Sequence, residues 1–292
     1  MARTVLITGC SDGGLGAGLA IQFHKRGDRV FATARNPAKM ASLTALGIET
    51  FKLDVLSDES IKACVEEVSA LTGGKLNMLV NNAGAGYSMP VMDISLDEME
   101  KLYRLNVLSV IRTAQLFFPL LRAAAPDAVI VNQTSCASVA TVPFQGAYGS
   151  SKAAIANLTE CLRLEMMPFR VKVVDLRTGA VKTPFFDNAA LRSGSGLPPT
   201  SPYLALKDKV EGVMNGDMEG VEFQDLDKWA KNVVGDLSRN RPAAQIWRGG
   251  GATLVWLSSL LPVGAFDGMF KKMAGLDVLE KKIQEDTSKR GK

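Results

Sequence analysis

The 292-residue chain is 47% hydrophobic, long enough for one large core or for two small domains. Its formal net charge is only +4, and no block of lysines and arginines suggests a nucleic-acid surface. His24 is the single histidine and the four cysteines include no C-x-x-C pair, which argues against Ser-His-Asp catalysis and against a bound metal. We therefore expect a globular protein with reduced thiols and no nucleic-acid partner.

The N-terminal stretch predicts a nucleotide site. An apolar strand over residues 4–8 starts at once, so we expect no signal or transit peptide and an intracellular, cytoplasmic protein. A glycine-rich turn follows, and an amphipathic helix continues to about Arg26. Such a turn lets the backbone approach a pyrophosphate at a helix N-terminus, where free N–H groups and the helix dipole favour anions. The candidate cofactor contacts in this turn are Gly9, Ser11, Asp12, Gly14, Leu15 and Gly16.

The second predicted strand, residues 29–34, ends at Arg35. In a dinucleotide fold, the residue about 20 positions beyond the glycines meets the adenosine ribose. An acid there favours NAD, whereas an arginine suits the 2′-phosphate of NADP. Arg35 therefore predicts NADP(H) as the cofactor, and the alternative is a surface arginine at a strand end.

Strands and helices continue to alternate as far as residue 176. A helix predicted over residues 96–122 carries Asn106 in its interior, where asparagine either faces solvent or marks a local distortion. The alternation predicts an α/β fold, a doubly wound parallel sheet (Rossmann fold) in a single domain, with ligands at the carboxyl ends of the strands. The remaining elements of this part are strands over residues 48–53, 78–80, 129–132 and 171–176 and helices over residues 57–71 and about 148–167.

Tyr148 and Lys152 are four residues apart, which places a phenol above an amine on one helix face. An ammonium about 4 Å away favours the phenolate by roughly 4 kcal/mol at an effective dielectric of about 20, which brings the phenol toward a working pKa. Ser135 follows a predicted strand and offers a hydroxyl that could share the oxygen that the tyrosine protonates. An exposed helical pair is the alternative interpretation of Tyr148 and Lys152.

The C-terminal part is less regular. Residues 184–220 read as a substrate loop or lid, with a disordered insertion as the alternative for the Gly/Ser/Pro-rich centre. A helix over residues 221–237, a strand over residues 245–247 and a C-terminal helical extension over residues 249–292 follow. Residues 251–266 are apolar but too short to span a bilayer, so we expect a buried helix, with a membrane-contacting surface patch as the alternative.

With these residues in place, the chain resembles the classical short-chain dehydrogenase/reductases over roughly residues 3–261. The sequence of residues 86–90, together with Pro168-Phe169, resembles a fungal branch of the family similar to NADPH-dependent 1-acyldihydroxyacetone-phosphate reductases, a branch that also includes reductases of secondary metabolism. The family motifs occur in family order at Thr8-Gly9 through Gly16, Asp54, Asn81-Asn82-Ala83-Gly84, Asn106-Val107, Ser135, Tyr148 with Lys152, and Gly179 through Thr183.

The resemblance implies a mechanism. Hydride passes from the nicotinamide of NADPH to a carbonyl, Tyr148 donates the proton, Ser135 hydrogen-bonds the same oxygen, and Lys152 lowers the tyrosine pKa and holds the nicotinamide ribose. Asn106 anchors a water that links Lys152 to solvent. The implied contacts with the rest of the cofactor are made by Asp54 and Asn82 at the adenine and by Val181 and Thr183 at the pyrophosphate or carboxamide end.

Two positions depart from the family pattern. The glycine turn contains one additional residue, Gly13, which leaves open which glycine faces the pyrophosphate. The usual Pro-Gly pair after the sixth strand is Thr178-Gly179, and we expect this change to loosen the turn without loss of chemistry.

The predicted substrate site is apolar. Such a cleft suits a hydrophobic carbonyl compound, lipid- or polyketide-like, although each residue could instead belong to the core. The alternative functions are a 1-acyldihydroxyacetone-phosphate reductase of lipid synthesis and a non-catalytic NADP(H)-sensing protein. A homodimer and peripheral association with endoplasmic reticulum or lipid droplets through residues 251–266 are compatible with these functions. The candidate substrate residues are Tyr87, Met89, Phe144, Phe185 and Phe186.

Overall fold

Seven parallel strands form one sheet in the described part of the computed structural model, which comprises residues 2–193, 196–217 and 220–290. The strand order is β3-β2-β1-β4-β5-β6-β7, so the chain winds outward twice from β1, and the doubly wound single domain predicted from the sequence is confirmed. The strands are β1 (Thr4–Thr8), β2 (Arg29–Ala34), β3 (Glu49–Lys52), β4 (Met78–Asn81), β5 (Val129–Gln133), β6 (Lys172–Thr178) and β7 (Gln245–Arg248).

Helices cover both faces of this sheet. Those of the N-terminal two-thirds are α1 (Leu15–Lys25), α2 (Ala41–Ala45), α3 (Asp58–Thr72), α4 (Leu96–Tyr103), α5 (Ser109–Ala123) and α6 (Gly146–Glu165). The remaining helices are α7 (Phe185–Ser193), α8 (Lys207–Met214), α9 (Leu226–Leu237), α10 (Ala252–Ser258), α11 (Asp267–Met273) and α12 (Leu276–Arg290).

The alternation of side chains along β1 shows how the core is divided. Val5 and Ile7 belong to the hydrophobic cluster that packs against α1 and α9, with Trp229 fully buried at its centre. Leu6 points the other way, into the cluster with Phe117 of α5. Because strands of a parallel sheet are buried on both faces, they read as continuous apolar runs.

The predicted helix over residues 96–122 is interrupted. Helical hydrogen bonding changes to a π turn over Arg104–Leu108, between α4 and α5, and Asn106 lies in this turn with only 1% of its surface exposed. Of the two interpretations of Asn106, the local distortion is therefore confirmed and the solvent-facing side chain is wrong.

Two predicted elements differ in the C-terminal part. The helix predicted from residue 221 begins at Leu226, where the Asp225 side chain accepts a hydrogen bond from the Lys228 backbone N–H. The preceding residue, Gln224, is not helical, because its backbone is hydrogen-bonded to the backbone of residues 180 and 182. The segment 184–220 is not irregular throughout, since it contains α7 and α8. Gly194 and Ser195 of its Gly/Ser/Pro-rich centre lie outside the described residues.

The expectation that residues 251–266 are buried is wrong. Only the first residue of α10, Ala252, is buried, whereas Leu254 is 67% exposed and Val263 in the following loop is fully exposed. The helix α10 has only seven residues, and Ala252 is the one that packs closely against the sheet edge formed by β7. No helix within the described ranges is long and apolar enough to cross a bilayer.

The C-terminal extension is anchored beside α8. Ala274, Leu276 and Leu279 join a hydrophobic cluster with Leu206 and Val210, and the Lys282 ammonium donates to the Ala205 carbonyl at 3.0 Å. The extension therefore packs against the segment predicted to border the substrate.

Candidate active site

The glycine turn between β1 and α1 is a narrow cradle. A Cβ on Gly16 would lie 2.6 Å from both the Asn82 Nδ2 and the Gly9 carbonyl oxygen, and Gly9 has a left-handed φ of 73° that glycine adopts without strain. The Asn82 amide donates to the Thr8 and Gly9 carbonyls at 2.8 and 3.0 Å, which ties the turn to the end of β4. The close packing explains why glycines occur at these positions.

The turn leaves the start of α1 open. Gly14 occupies the N-cap position without a side-chain cap, so the first N–H groups of α1 are available to an anion. The additional residue Gly13 has φ 76° and lies near Pro184, because a Cβ there would be 3.6 Å from the proline Cγ. Ser11 is exposed on the same turn.

Arg35 lies exposed at the carboxyl end of β2, and its neighbours fix the adjacent loop. The Asp12 carboxylate accepts a hydrogen bond from the Ser42 hydroxyl, and the Asp12 backbone N–H donates to the Lys39 carbonyl at 2.8 Å. Asp54 follows β3 and caps its own loop by accepting from the Leu56 backbone N–H at 3.0 Å. Arg35 and Asp54 therefore end neighbouring strands, as the sequence predicts.

These residues fit a dinucleotide. The cradle, the uncapped N-terminus of α1 and Arg35 supply a path for phosphates along one sheet edge. At the far end of that edge, the Thr178 hydroxyl is buried without a hydrogen-bond partner in the part of the chain that the structure describes. Val181 is buried just beyond it, and the Thr183 hydroxyl accepts from the Phe185 backbone N–H at 3.4 Å at the start of α7.

Tyr148, Lys152 and Ser135 lie together at the carboxyl end of β5. The Ser135 side chain lies close enough to the Tyr148 hydroxyl to lower its pKa, and the Ser135 hydroxyl donates to the Thr178 carbonyl at 3.4 Å. The Lys152 Nζ donates to the Gln133 carbonyl at 2.9 Å and lies 5.9 Å from the centroid of the Tyr148 ring. Lys152 is only 5% exposed, so the alternative of an exposed helical pair is wrong.

Asn106 packs into the same cluster from the π turn. Its Oδ1 accepts from the Ala85 backbone N–H at 2.9 Å, and its Nδ2 donates to the Ala85 carbonyl at 2.9 Å and to the Ser151 hydroxyl at 3.0 Å. A Cβ on Gly84 would lie 3.2 Å from the Asn106 Oδ1 and 3.5 Å from the Lys152 Nζ. The amide therefore holds the loop after β4 against α6, next to the ammonium.

Burial sets the protonation behaviour of the site. Burial raises the pKa of Tyr148 to about 12, although the hydrogen bond with Ser135 acts in the opposite direction. Burial lowers the pKa of Lys152 to about 8, and the carboxylate of Asp175 opposes this effect. Without a cofactor, the site therefore favours a neutral phenol and a lysine that titrates near neutral pH.

Asp175 and Arg177 form a buried ion pair that the sequence analysis did not single out. Asp175 on β6 is fully buried, accepts from the Arg177 Nε at 2.6 Å and is hydrogen-bonded to the Thr134 hydroxyl. The Arg177 guanidinium lies 4.8 Å from the Trp247 ring centroid. The signal in the sequence was an acid and a base two positions apart in a strand that is apolar at Val173, Val174 and Leu176, and this spacing places both on one face.

The five predicted substrate residues separate into two groups. Phe185 lies over the catalytic tyrosine candidate, with 5.6 Å between its ring centroid and that of Tyr148, and Phe186 packs edge-on against Phe185. Tyr87 and Met89 are at most 6% exposed, and the Tyr87 hydroxyl accepts from the Ser95 backbone N–H at 3.1 Å. The structure thus brings the two α7 phenylalanines to Tyr148 and places Tyr87 and Met89 within the core.

Phe144 is strained and also buried. Its φ is 69°, its carbonyl accepts from the Met89 backbone N–H at 2.7 Å, and its ring packs edge-on against Tyr203. Left-handed backbone at a non-glycine residue is uncommon and occurs often beside functional sites. The strained peptide lies four positions before Tyr148, in the loop that leads into α6.

Comparison with known proteins agrees with this geometry. A family model described as short chain dehydrogenase matches residues 3–193. A short-chain dehydrogenase/reductase of Pestalotiopsis microspora is 43% identical over 97% of both chains, and an NADPH-dependent 1-acyldihydroxyacetone phosphate reductase of Schizosaccharomyces pombe is 36% identical over 90% of this chain and 91% of the relative. The crystal structure of a short-chain dehydrogenase from Streptomyces avermitilis superposes with a TM-score of 0.74 at 25% identity, covering 97% of this chain and 98% of that one. The chain therefore belongs to the short-chain dehydrogenase family.

Proposed function

We propose that this protein is an NADPH-dependent reductase that transfers hydride to the carbonyl of a hydrophobic substrate, with Tyr148 as the proton donor. The observation that carries the proposal is the cluster at the carboxyl end of β5, in which Ser135 lies beside the Tyr148 hydroxyl and the Lys152 ammonium lies 5.9 Å from the centroid of the same ring. This cluster lies at the sheet edge that also presents the glycine cradle. NADPH supplies the hydride when bound.

Each side chain has one role in this proposal. Tyr148 donates its proton to the carbonyl oxygen as the oxygen becomes negative, and Ser135 donates a hydrogen bond to the same oxygen. Lys152 stabilises the phenolate that remains, because its ammonium is held next to the ring by the Gln133 carbonyl. Asn106 fixes the loop on which Lys152 packs. A positioned acid of this kind contributes about 10²–10⁴-fold to the rate.

The preference for NADPH rests on Arg35, the one cation at the carboxyl end of β2 itself. A guanidinium binds a phosphate through two parallel hydrogen bonds, whereas an acid at this position would repel it. The 36%-identical relative from Schizosaccharomyces pombe is named as NADPH-dependent, which supports the same cofactor here.

The substrate class follows from the aromatic side chains beside Tyr148. Phe185 and Phe186 present apolar surface, so a lipid- or polyketide-like ketone fits better than a small polar metabolite. Reduction of 1-acyldihydroxyacetone phosphate is the second candidate, and the relative that carries this name favours it. A non-catalytic NADP(H)-sensing protein is the third, and the complete set of Asn106, Ser135, Tyr148 and Lys152 argues against it.

We also propose peripheral membrane contact through residues 251–266. The segment contains no charged residue, and a helix with exposed apolar side chains next to a loop tip can lie in the lipid interface. Association with endoplasmic reticulum or lipid droplets, a cytoplasmic location and a homodimer stay predictions. The exposed apolar residues that support the contact are Leu254, Trp256, Leu257, Leu260, Leu261 and Val263.

The decisive experiment compares Tyr148→Phe with Tyr103→Phe. We expect Tyr148→Phe to bind NADPH with unchanged affinity and to lose about 10²–10⁴-fold in turnover of hydrophobic ketones, because only the transferable proton is removed. Tyr103 lies in α4 outside the cluster, so its phenylalanine variant should retain both. Near-normal turnover by Tyr148→Phe would contradict the role of this residue, and NADPH binding without turnover of any ketone by the natural protein would favour the sensor.

A further inference from the structure

A cavity of about 540 Å³ lies between the loop that precedes α6, the helix α8 and the end of α11. Small-molecule sites in proteins have volumes of roughly 300–1,000 Å³, so this cavity has the size of a binding site. Among the described residues that line it, none belongs to the glycine cradle or to the Tyr148 cluster. It is therefore a space distinct from the glycine cradle and from the Tyr148 cluster.

A row of aromatic rings leads from Tyr148 to this cavity. Phe186 packs against Phe185 with 5.4 Å between ring centroids, and Phe223 packs against Phe186 with 5.5 Å. Phe185 is itself 5.6 Å from the Tyr148 ring, and Phe223 is part of the cavity wall. A row of ring contacts thus links the cavity wall to Tyr148.

The chain also connects the two sites directly. Gln145 lines the cavity and precedes Tyr148 by three residues, at the start of α6, where its carbonyl accepts from the Gly149 backbone N–H at 2.8 Å. Residues three apart share a helix face and are separated by about one 5.4 Å turn. Through Gln145, one wall of the cavity therefore begins about one turn before Tyr148.

The wall indicates what the cavity accepts. Most of it is apolar, and its charged members are Asp208, Lys209 and Asp217, of which the two aspartates are exposed. The two acids outnumber the lysine, so these side chains give a carboxylate or phosphate no net positive charge to bind, whereas a hydrocarbon gains by leaving water. The apolar part of the wall is formed by Val142, Pro143, Phe144, Val213, Phe223 and Met273.

We propose that this cavity, here called the chain cavity, binds the hydrocarbon part of the carbonyl substrate, so that the substrate is a ketone carrying an uncharged apolar chain. The proposal rests on the reductase function proposed above. Met273 and Ala274 follow one another at the end of α11, so the C-terminal extension supplies one wall. Ala274 is only 3% exposed and packs with Leu206, which makes this wall fixed. The extension thereby limits the chain length that the enzyme accepts.

The test is a series of methyl ketones with alkyl chains from propyl to undecyl, measured by NADPH consumption with the full-length protein. We expect kcat/KM to rise about fourfold with each methylene group until the chain cavity is full. Met273→Trp fills the cavity, and we expect the ratio of kcat/KM for the long ketones to kcat/KM for the propyl ketone to fall at least tenfold. Val221→Trp fills the same space from another segment and guards against a local effect on α11.

Met269→Trp is the matched control, because Met269 lies in the same helix but is 54% exposed and outside the cavity wall. We expect it to retain the natural dependence on chain length. If both filling variants keep that dependence, the chain cavity does not hold the substrate, although the reductase function stands. If the natural protein consumes NADPH with none of the ketones, the reductase function on this substrate class fails and the cavity proposal fails with it.

Calorimetric binding of the longest ketone should weaken about tenfold in Met273→Trp, and unchanged binding would overturn the proposal independently of turnover.

Discussion

Replacement of Lys152 by methionine tests whether burial of the Lys152 ammonium lowers the free energy of unfolding. The ammonium is 5% exposed, and burial lowers the pKa of Lys152 from 10.5 to about 8. A lowered pKa means that the folded protein binds this proton less tightly than the unfolded chain does. The contribution of Lys152 to stability is therefore fully present above about pH 10.5 and is lost as the pH falls through about 8.

The size of this loss follows from the same two values. The difference between 10.5 and about 8 is roughly 2.5 pH units, which at about 1.4 kcal/mol per unit corresponds to about 3 kcal/mol of unfolding free energy. Methionine has a similar length and no charge, so its variant avoids this penalty. It also loses the hydrogen bond to the Gln133 carbonyl, at a cost of about 1–3 kcal/mol.

The measurement is urea unfolding of the cofactor-free protein at pH 7 and at pH 11. We expect the stability of Lys152→Met relative to the natural protein to be about 3 kcal/mol more favourable at pH 7 than at pH 11. Lys231→Met, at an exposed position of α9, should show no such change between the two pH values. A stability difference for Lys152→Met that is the same at both pH values would refute the argument that the ammonium is desolvated.

Three further outcomes follow from the described contacts. Arg35→Asp should weaken NADPH binding about 10–100-fold in titrations, because a charge-assisted phosphate contact contributes about 1.5–3 kcal/mol, while NADH gains relative ground; an unchanged preference would refute the role of Arg35. Gly16→Ala should destabilise the turn and lower NADPH affinity, since its Cβ would lie 2.6 Å from a side-chain nitrogen and a carbonyl oxygen. As a control, the Cβ of Gly235→Ala in α9 would meet no atom within 4 Å, and this variant should stabilise the protein by about 0.5–1 kcal/mol in thermal unfolding. Leu260→Asp should reduce flotation with phospholipid vesicles, because Leu260 is 69% exposed in the uncharged segment, and equal flotation of variant and natural protein would exclude this segment as the contact.

The clearest difference between sequence and structure concerns residues 251–266. An uncharged apolar run is ordinarily buried, and the sequence contains no information on whether a partner surface faces it. In the fold, Ala252 is the one residue of α10 that is buried against the sheet edge. The backbone after β6 and the backbone after β7 lie very close together there, since a Cβ on Gly179 would lie 2.3 Å from the Gly250 carbonyl oxygen. Most of the remaining apolar side chains of the segment are left exposed.

The substrate side was also decided by packing. Tyr87 and Phe185 are both aromatic residues that follow family motifs, and their sequence neighbourhoods do not distinguish them. The Tyr87 hydroxyl is engaged by the Ser95 backbone in the core, whereas Phe185 starts α7 and reaches the Tyr148 ring. Such assignments depend on contacts between residues far apart in the chain.

The sequence by itself determined the fold class and the positions of the residues that we propose for proton transfer. Both depend on local regularities: apolar runs alternate with amphipathic ones, and parallel strands bring their carboxyl ends to one edge, so that Ser135 and Tyr148 meet there. Only the tertiary structure decided that Lys152 is buried beside Asp175, that Asn106 lies in a π turn, and that a cavity opens between α8 and the C-terminal extension. Burial and cavity shape arise from packing among distant segments, and a linear pattern of residue types does not specify that packing.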